Sequence, residues 1–211
     1  ELVATGSTNT PIDGLGIDQV KLVGNALGGL FSLWFALDRP SRVARVVLVG
    51  QPAGAIAGAR VDPTMGMITA PGLGRIATWM ARLPSPRFIG RMGLRPTVRA
   101  DTLRSLPNDI VDLHLLAVRL PGRAASYRSL LRRLLVGRTP RPEHVLSDTE
   151  LAGFTVPVLF VWPEDDHFLP PAAGRPSVDK IPTARFVTTP GGLFAWFDDP
   201  DRCAALVAEG L

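Results

Sequence analysis

Short β-branched runs alternate with helical stretches from residue 18 onward, and this alternation organises the chain. The run at residues 43–49 is apolar almost throughout, as a strand buried on both faces should be. A parallel sheet covered by helices is the arrangement that such a pattern predicts. The predicted strands are 19–23, 43–49, 156–162 and 184–188. The predicted flanking helices are 28–37 and 200–211, the second with proline in its first turn.

About a hundred residues separate the second and third predicted strands without any strand signal. They contain predicted helices at 74–83, 106–120 and 124–136, divided by proline and glycine turns. An insertion of this length at one point of a sheet indicates a subdomain, because ordinary loops are far shorter. We therefore predict a helical cap at 63–151 on a core formed by residues 1–62 and 152–211.

The composition describes a globular chain of 211 residues, long enough for one well-cored domain. Cys203 is the only cysteine, which excludes an internal disulfide and favours a reducing compartment, so we expect the cytoplasm. Its apolar helical setting predicts a small buried side chain and not a reactive thiol. Lysine occurs only at Lys21 and Lys180, a usage that suggests a GC-rich bacterial gene.

The most apolar window, residues 22–37, is interrupted by glycines and is shorter than the roughly 20 residues of a membrane span. We therefore expect no membrane partner. Formal net charge is +4, and arginines are dense from 75 to 141, where Asp101, Asp109 and Asp112 are the only acids. No nucleic-acid motif is present and aromatics do not interleave with the arginines, so nucleic acid is not expected. A solvated helical face is favoured, with an anionic ligand or acidic protein partner as the alternative.

The segment 20–29 joins a predicted strand to a predicted helix through Gly24-Asn25-Ala26-Leu27-Gly28. It resembles the nucleophile elbow G-x-S-x-G of the α/β-hydrolase superfamily, whose glycines permit a very tight turn. Both glycines are in place, but Ala26 occupies the nucleophile position. A methyl group has no lone pair to attack a carbonyl carbon.

Two later segments resemble the rest of that family's triad. Residues 157–170 are similar to the strand and loop that deliver the acid, with Asp166 at the acid position and Pro163 in place of the usual glycine. Asp165 is the competing choice, and spacing favours Asp166. In residues 189–200, Leu193 stands where the family has its histidine, and leucine cannot accept a proton.

The resemblance covers nearly everything after residue 14 and implies a capped α/β-hydrolase fold that has lost two triad members. It further implies that the backbone N–H of Leu27 remains available as an oxyanion donor. Asn25, Phe194 and Trp196 are the expected neighbours of a ligand, and Asp166 is expected to have a structural role. We expect neither His167 nor His114 or His144 to replace the lost base, and no cofactor or metal is predicted.

The leading hypothesis is a pseudo-hydrolase that binds a small, largely apolar ligand between core and cap. It would guide a non-hydrolytic cyclisation or rearrangement, in secondary metabolism, by shape and desolvation. One alternative is a serine esterase in an inactive form, and another is a non-catalytic binding or regulatory protein. Two independent losses, at Ala26 and Leu193, favour natural degeneration over a laboratory mutation.

The family places several strands before the elbow, whereas only 19 residues precede Val20 here. The strand at 19–23 should be central, so one of its edges would be bare and apolar. We also find no helical pattern leading into residues 14–17. The expectation is that upstream segments of the domain are missing from this chain, with a homodimer that supplies the edge as the alternative.

Overall fold

The computed structural model describes residues 11–211, and most of the turn-like stretch expected at 5–11 lies outside them. Its main sheet is parallel, has four strands and runs in the order β1-β2-β5-β6. The four strands confirm the predicted parallel sheet. Their bounds, with those of a separate antiparallel hairpin β3-β4, are β1 Val20–Asn25, β2 Val43–Val49, β3 Leu135–Val136, β4 Thr139–Pro140, β5 Val158–Pro163 and β6 Ala184–Thr189.

Helices fill the connections, and more of them are present than the pattern predicted. They are α1 Pro11–Gly14, α2 Leu27–Asp38, α3 Pro63–Thr69, α4 Leu73–Met80, α5 Arg87–Leu94, α6 Ala100–Ser105, α7 Asn108–Arg119, α8 Arg123–Leu134, α9 Asp148–Ala152, α10 Pro171–Val178, α11 Ala195–Asp198 and α12 Pro200–Gly210.

Three expectations about these elements were wrong. The insertion was expected to lack strands, yet β3 and β4 lie in it, because two-residue strands produce no periodic signal. A short helix, α1, precedes the turn at residues 15–17, where no helical pattern was found. The first strand runs two residues further than predicted, since Gly24 and Asn25 pair with Leu48 and Val49 of β2.

The largest apolar cluster lies between the sheet and the helices on one of its faces. Leu30 and Leu33 of α2 pack there with Phe160 and Trp162 of β5. Residues of the insertion join the same cluster, among them Leu131, Leu134 and Leu151. Residues around α5 to α7 instead build a separate cluster, in which Leu94, Val98, Leu106 and Val111 are buried. The insertion therefore packs on the core through both of these clusters, since Phe194 and Phe197 of the core contact the second one.

A central strand and an edge strand of the sheet differ in their burial. All six residues of β5 are buried, whereas Gly24 is the only buried residue of β1. Within residues 11–211, β1 pairs with β2 on one side and with no strand on the other, and the side chain of Val23 is 51% exposed. The expected bare apolar edge is thus present among the described residues. None of the helices described in this chain is long and apolar enough to cross a membrane.

Candidate functional site

The strand-to-helix turn at Ala26 keeps the conformation of an elbow. Ala26 has φ +46° and ψ −112°, and it caps α2 without a side-chain hydrogen bond. L-residues rarely adopt such a positive φ, which costs on the order of 1–3 kcal/mol. The carbonyl of Ala26 accepts the first helical hydrogen bond from Leu30 at 3.0 Å. The turn at Ala26 therefore combines a strained backbone with a side chain that carries no nucleophilic group.

The two elbow glycines have unequal roles. A Cβ on Gly24 would lie 2.7 Å from the backbone carbon and oxygen of Gly28, so only glycine fits at residue 24. A Cβ on Gly28 would meet nothing within 4 Å. We expected the turn to require both glycines. This was wrong for Gly28, because a side chain there would enter open space at the start of α2.

Asp166 is buried at the loop that follows β5, with 2% of its surface exposed. Its Oδ1 accepts hydrogen bonds from the N–H groups of Phe168 at 2.9 Å and Leu169 at 3.2 Å. Its Oδ2 accepts one from the N–H of Gln51 at 3.1 Å, which joins this loop to the end of β2. Burial raises the pKa of Asp166, while these backbone hydrogen bonds and nearby His167 oppose the rise.

Asp165, the competing candidate for the acid, lies on the surface and forms an ion pair with Arg99 at 3.4 Å. His167 is exposed and meets only the edge of the Phe168 ring among described aromatic residues. The Nε2 atom of His144 forms a hydrogen bond of 3.0 Å with the carbonyl oxygen of Arg133. Burial lowers the pKa of half-buried His114 in α7, with Arg123 acting in the same direction. The structure gives no geometric support for a substitute base among these histidines.

Leu193 is buried, with 4% of its surface exposed, in the loop between β6 and α11. Asn25 of the elbow reaches this loop: its Nδ2 donates to the carbonyl of Leu193 at 2.9 Å and to that of Val49 at 2.6 Å. Gly50 completes the contact, since a Cβ there would lie 2.8 Å from Leu193 Cδ1. The elbow, the end of β2 and the Leu193 loop thus meet at the C-terminal edge of the sheet.

Phe194 and Trp196 form an aromatic group beside Leu193, with ring centroids 5.0 Å apart. The N–H of Phe194 donates to the carbonyl of Thr97 at 2.8 Å, which ties this loop to the insertion. Asp198 strengthens that tie, because its carboxylate accepts from the N–H groups of Gly192 at 2.8 Å and Arg99 at 3.1 Å. Sequence inspection missed Asp198, because both of its contacts depend on how the insertion and this loop lie together in the fold.

A cleft of about 710 Å³ separates the insertion from the core near the Asp166 loop. It is lined by Asp62, Ile89, Met92, Gly93, Arg95, Pro96, Val98, Asp165 and His167. This cleft is not lined by any of the residues expected to contact a ligand, namely Asn25, Leu27, Phe194 and Trp196, although Asp165 and His167 flank Asp166. Trp196 instead lines an apolar cavity of about 350 Å³ between β1 and α12.

Few polar groups of the described residues at the C-terminal edge of the sheet are free to act on a ligand. The N–H of Leu27 makes no hydrogen bond to any residue in 11–211, as expected of a donor at the start of a helix. The Asp166 carboxylate is engaged by three backbone donors. Across the described residues, no group of three or more His, Cys, Asp or Glu is arranged to hold a metal ion.

Comparison with known proteins defines the class to which this fold belongs. The profile of the alpha/beta hydrolase fold family matches residues 9–200, so this chain belongs to that family. A 2-hydroxy-6-oxononadienedioate/2-hydroxy-6-oxononatrienedioate hydrolase from Dechloromonas aromatica is 26% identical over 202 residues, covering 95% of this chain. A hydrolase of the same name from Cupriavidus pinatubonensis is 30% identical over 175 residues, covering 82%. This chain spans 64% and 55% of these two relatives' own lengths.

Solved structures agree on the fold. The 2-hydroxy-6-oxo-6-phenylhexa-2,4-dienoate hydrolase of a Rhodococcus species superposes with a TM-score of 0.70 at 16% identity, over 94% of this chain and 66% of its own. A meta-cleavage product hydrolase of Pseudomonas fluorescens, a serine-to-alanine mutant complexed with acetates, has a TM-score of 0.66 at 22% identity. That match covers 94% of this chain and 66% of the mutant's chain. At such low sequence identities, the superpositions show a shared fold and nothing about activity.

Proposed function

We propose that this protein is a catalytically degenerate α/β hydrolase that binds a small, largely apolar ligand and does not hydrolyse it through a serine nucleophile. The observation that carries the proposal is the elbow itself. Its strained turn is intact around Ala26, which has no hydroxyl, and Leu193 fills the base position as a buried apolar side chain. A serine-type mechanism needs both an activated hydroxyl and a base beside it.

The cleft between insertion and core supports the ligand-binding part of the proposal. Its wall includes Ile89, Met92 and Val98, and its volume falls within the range typical of small-molecule sites. Charged groups at the same cleft, including Arg95, would orient a polar substituent of the ligand. A reaction in this cleft would be promoted by positioning the ligand and excluding water from it. A cyclisation or rearrangement can proceed by these two effects, because it needs no nucleophile from the protein.

A second candidate is a serine hydrolase in an inactive form. The named activities of the curated relatives favour it, since both are hydrolases of unsaturated oxo-dicarboxylates. In this view, the strained turn at Ala26 persists because a serine once required it. The two candidates predict different results when serine and histidine are introduced at positions 26 and 193. A recently inactivated hydrolase should regain turnover in A26S/L193H, whereas a specialised binding protein should regain little.

The test uses 1-naphthyl acetate, an apolar ester that reports both binding and hydrolysis. The proposal predicts saturable binding, measured by tryptophan fluorescence, without release of naphthol above the buffer rate. I89E should weaken binding at least tenfold because it places a charge in the cleft, whereas L116E, on an exposed face of α7, should not. Naphthol release that survives extensive purification would contradict the proposal.

A further inference from the structure

A second concave surface lies between α4 and α8, and it shares no lining residue with the cleft beside Asp166. We call it the α4–α8 groove. Its volume is about 640 Å³, and it is lined by Pro71, Gly72, Arg75, Thr78, Trp79, Arg82, Ala125, Arg128 and Arg132. Nothing in the proposed ligand site uses these residues, so the groove needs an explanation of its own.

The charge of the groove is one-sided. The sequence has no acid between Asp62 and Asp101, and none between Asp112 and Glu143, so α3, α4 and α8 carry no acidic residue. Arg128 is held in place by the carbonyls of Ile68 and Ala70. Four arginines thus line a groove to which the surrounding helices contribute no compensating acid.

Three of these arginines do not hold the described part of the chain together. Within residues 11–211, the guanidinium groups of Arg75, Arg82 and Arg132 form no hydrogen bond and no ion pair. Structural arginines usually satisfy their donors on carbonyls or carboxylates, as Arg128 does. The uncompensated cluster therefore favours an external anionic partner.

The outer face of α4, next to the groove, is apolar. Five large side chains are between 44% and 62% exposed within eleven residues of sequence, namely Leu73, Ile76, Trp79, Met80 and Leu83. Scattered single hydrophobes are ordinary on a protein surface, but a contiguous patch marks an interaction site. Trp79 belongs both to this apolar patch and to the groove, so the two features form one surface.

We propose that this surface, the α4–α8 groove with the apolar patch on α4, docks on an anionic phospholipid bilayer. Arginines beside apolar and indole side chains are the combination that binds the lipid interface, with cations at the headgroups and apolar groups among the upper acyl chains. Association of two copies through this face would oppose arginine to arginine. The expectation of no membrane partner rested on the length of apolar segments, which does not bear on surface association.

The test is flotation of the full chain with vesicles of phosphatidylcholine alone or mixed with phosphatidylglycerol. Binding is expected only to the mixed vesicles, and it should weaken as salt screens the headgroup charge. R75E/R82E should lower the partition coefficient by at least roughly twenty-fold, because each arginine near an anionic surface contributes about fivefold. R45E/R60E, an equal charge change at exposed positions outside the groove, should lower it far less.

Apolar contact is tested separately, so that the result does not depend on charge alone. I76S should weaken binding, whereas L113S, at a comparably exposed leucine of α7, should not. The blue shift of tryptophan fluorescence on mixed vesicles should disappear in W79F. Equal binding to both vesicle types, or equal loss in R75E/R82E and R45E/R60E, would overturn the proposal. Absence of binding to the mixed vesicles would also overturn it. A dimer lost in I76S would then point to a second copy, and binding of polyglutamate to an acidic chain.

Discussion

The elbow and the acid loop lie at the same edge of the sheet, but they match the family's catalytic motifs in opposite ways. At the elbow, the strained backbone of Ala26 matches the motif and its methyl side chain does not. At the acid loop, the buried Asp166 side chain matches the motif, whereas Leu193 stands where a histidine partner was expected. If two triad members have been lost, as we propose, each motif has kept the part that also supports the fold: the turn at Ala26 and the buried acceptor at Asp166.

The largest effect should come from Asp166. D166A leaves the buried N–H groups of Gln51, Phe168 and Leu169 without an acceptor, so the free energy of unfolding should fall by about 3 kcal/mol. D165A removes only an exposed ion pair and should change it by less than about 1 kcal/mol. Urea unfolding of both variants measures the difference. Similar small effects would mean that Asp166 does not hold its loop.

The elbow glycines offer a matched pair with a smaller effect. G24A should lower the free energy of unfolding by about 2 kcal/mol, since its Cβ would press on the backbone of Gly28. G28A enters open space at the start of α2 and should stabilise the fold by about 0.5–1 kcal/mol through reduced entropy of the unfolded chain. Thermal unfolding reports both signs. Equal changes would contradict the asymmetry.

Backbone strain at the elbow predicts a gain in stability. A26G should raise the free energy of unfolding by about 1 kcal/mol, because glycine adopts a positive φ without steric conflict. A125G, at an exposed position of α8, should lower it by about 1 kcal/mol. Opposite signs for the same chemical change are expected from urea unfolding. If A26G also destabilises, the turn at Ala26 stores no strain.

The smallest effect is a pH dependence. Burial raises the pKa of Asp166 above the ordinary value of 3.8, so between the two values the folded state binds more protons than the unfolded state. The contribution of Asp166 to stability is therefore greatest below 3.8 and is lost as pH rises through its folded pKa. D166N has no such titration. The free energy of unfolding of wild type relative to D166N should fall as pH increases above 3.8 and passes through the folded pKa, and a rise would contradict this sign.

The sequence predicted the sheet well because its strands are short apolar runs whose signal is local. Residues 43–49 were predicted to the residue, since β2 lies between two neighbours and its residues 46–49 are all buried. Strand β1 was placed two residues short, because Gly24 and Asn25 have turn-like composition yet pair with β2. Asn25 and Phe194 were both expected beside a ligand, and Asn25 does donate a hydrogen bond to Leu193, the residue before Phe194.

Long-range contacts were not predictable from these patterns. Asp198 joins the Leu193 loop to the insertion through Gly192 and Arg99, a contact that spans about a hundred residues of sequence. The bond between Gln51 and Asp166 likewise depends on how β2 and β5 lie side by side. The functional roles assigned to Ala26, Leu27 and Leu193 remain predictions, as does the boundary of the cap at 63–151.

The central claim is that no serine of this chain acts as a hydrolytic nucleophile, and labelling with a fluorophosphonate probe tests it most directly. Such probes react with serines that a neighbouring base activates. We expect no label on the wild-type chain, and label at position 26 in A26S/L193H if Asp166 can support a restored histidine. A wild-type chain that is labelled stoichiometrically at a serine, and loses the label on denaturation before exposure, would contradict the claim.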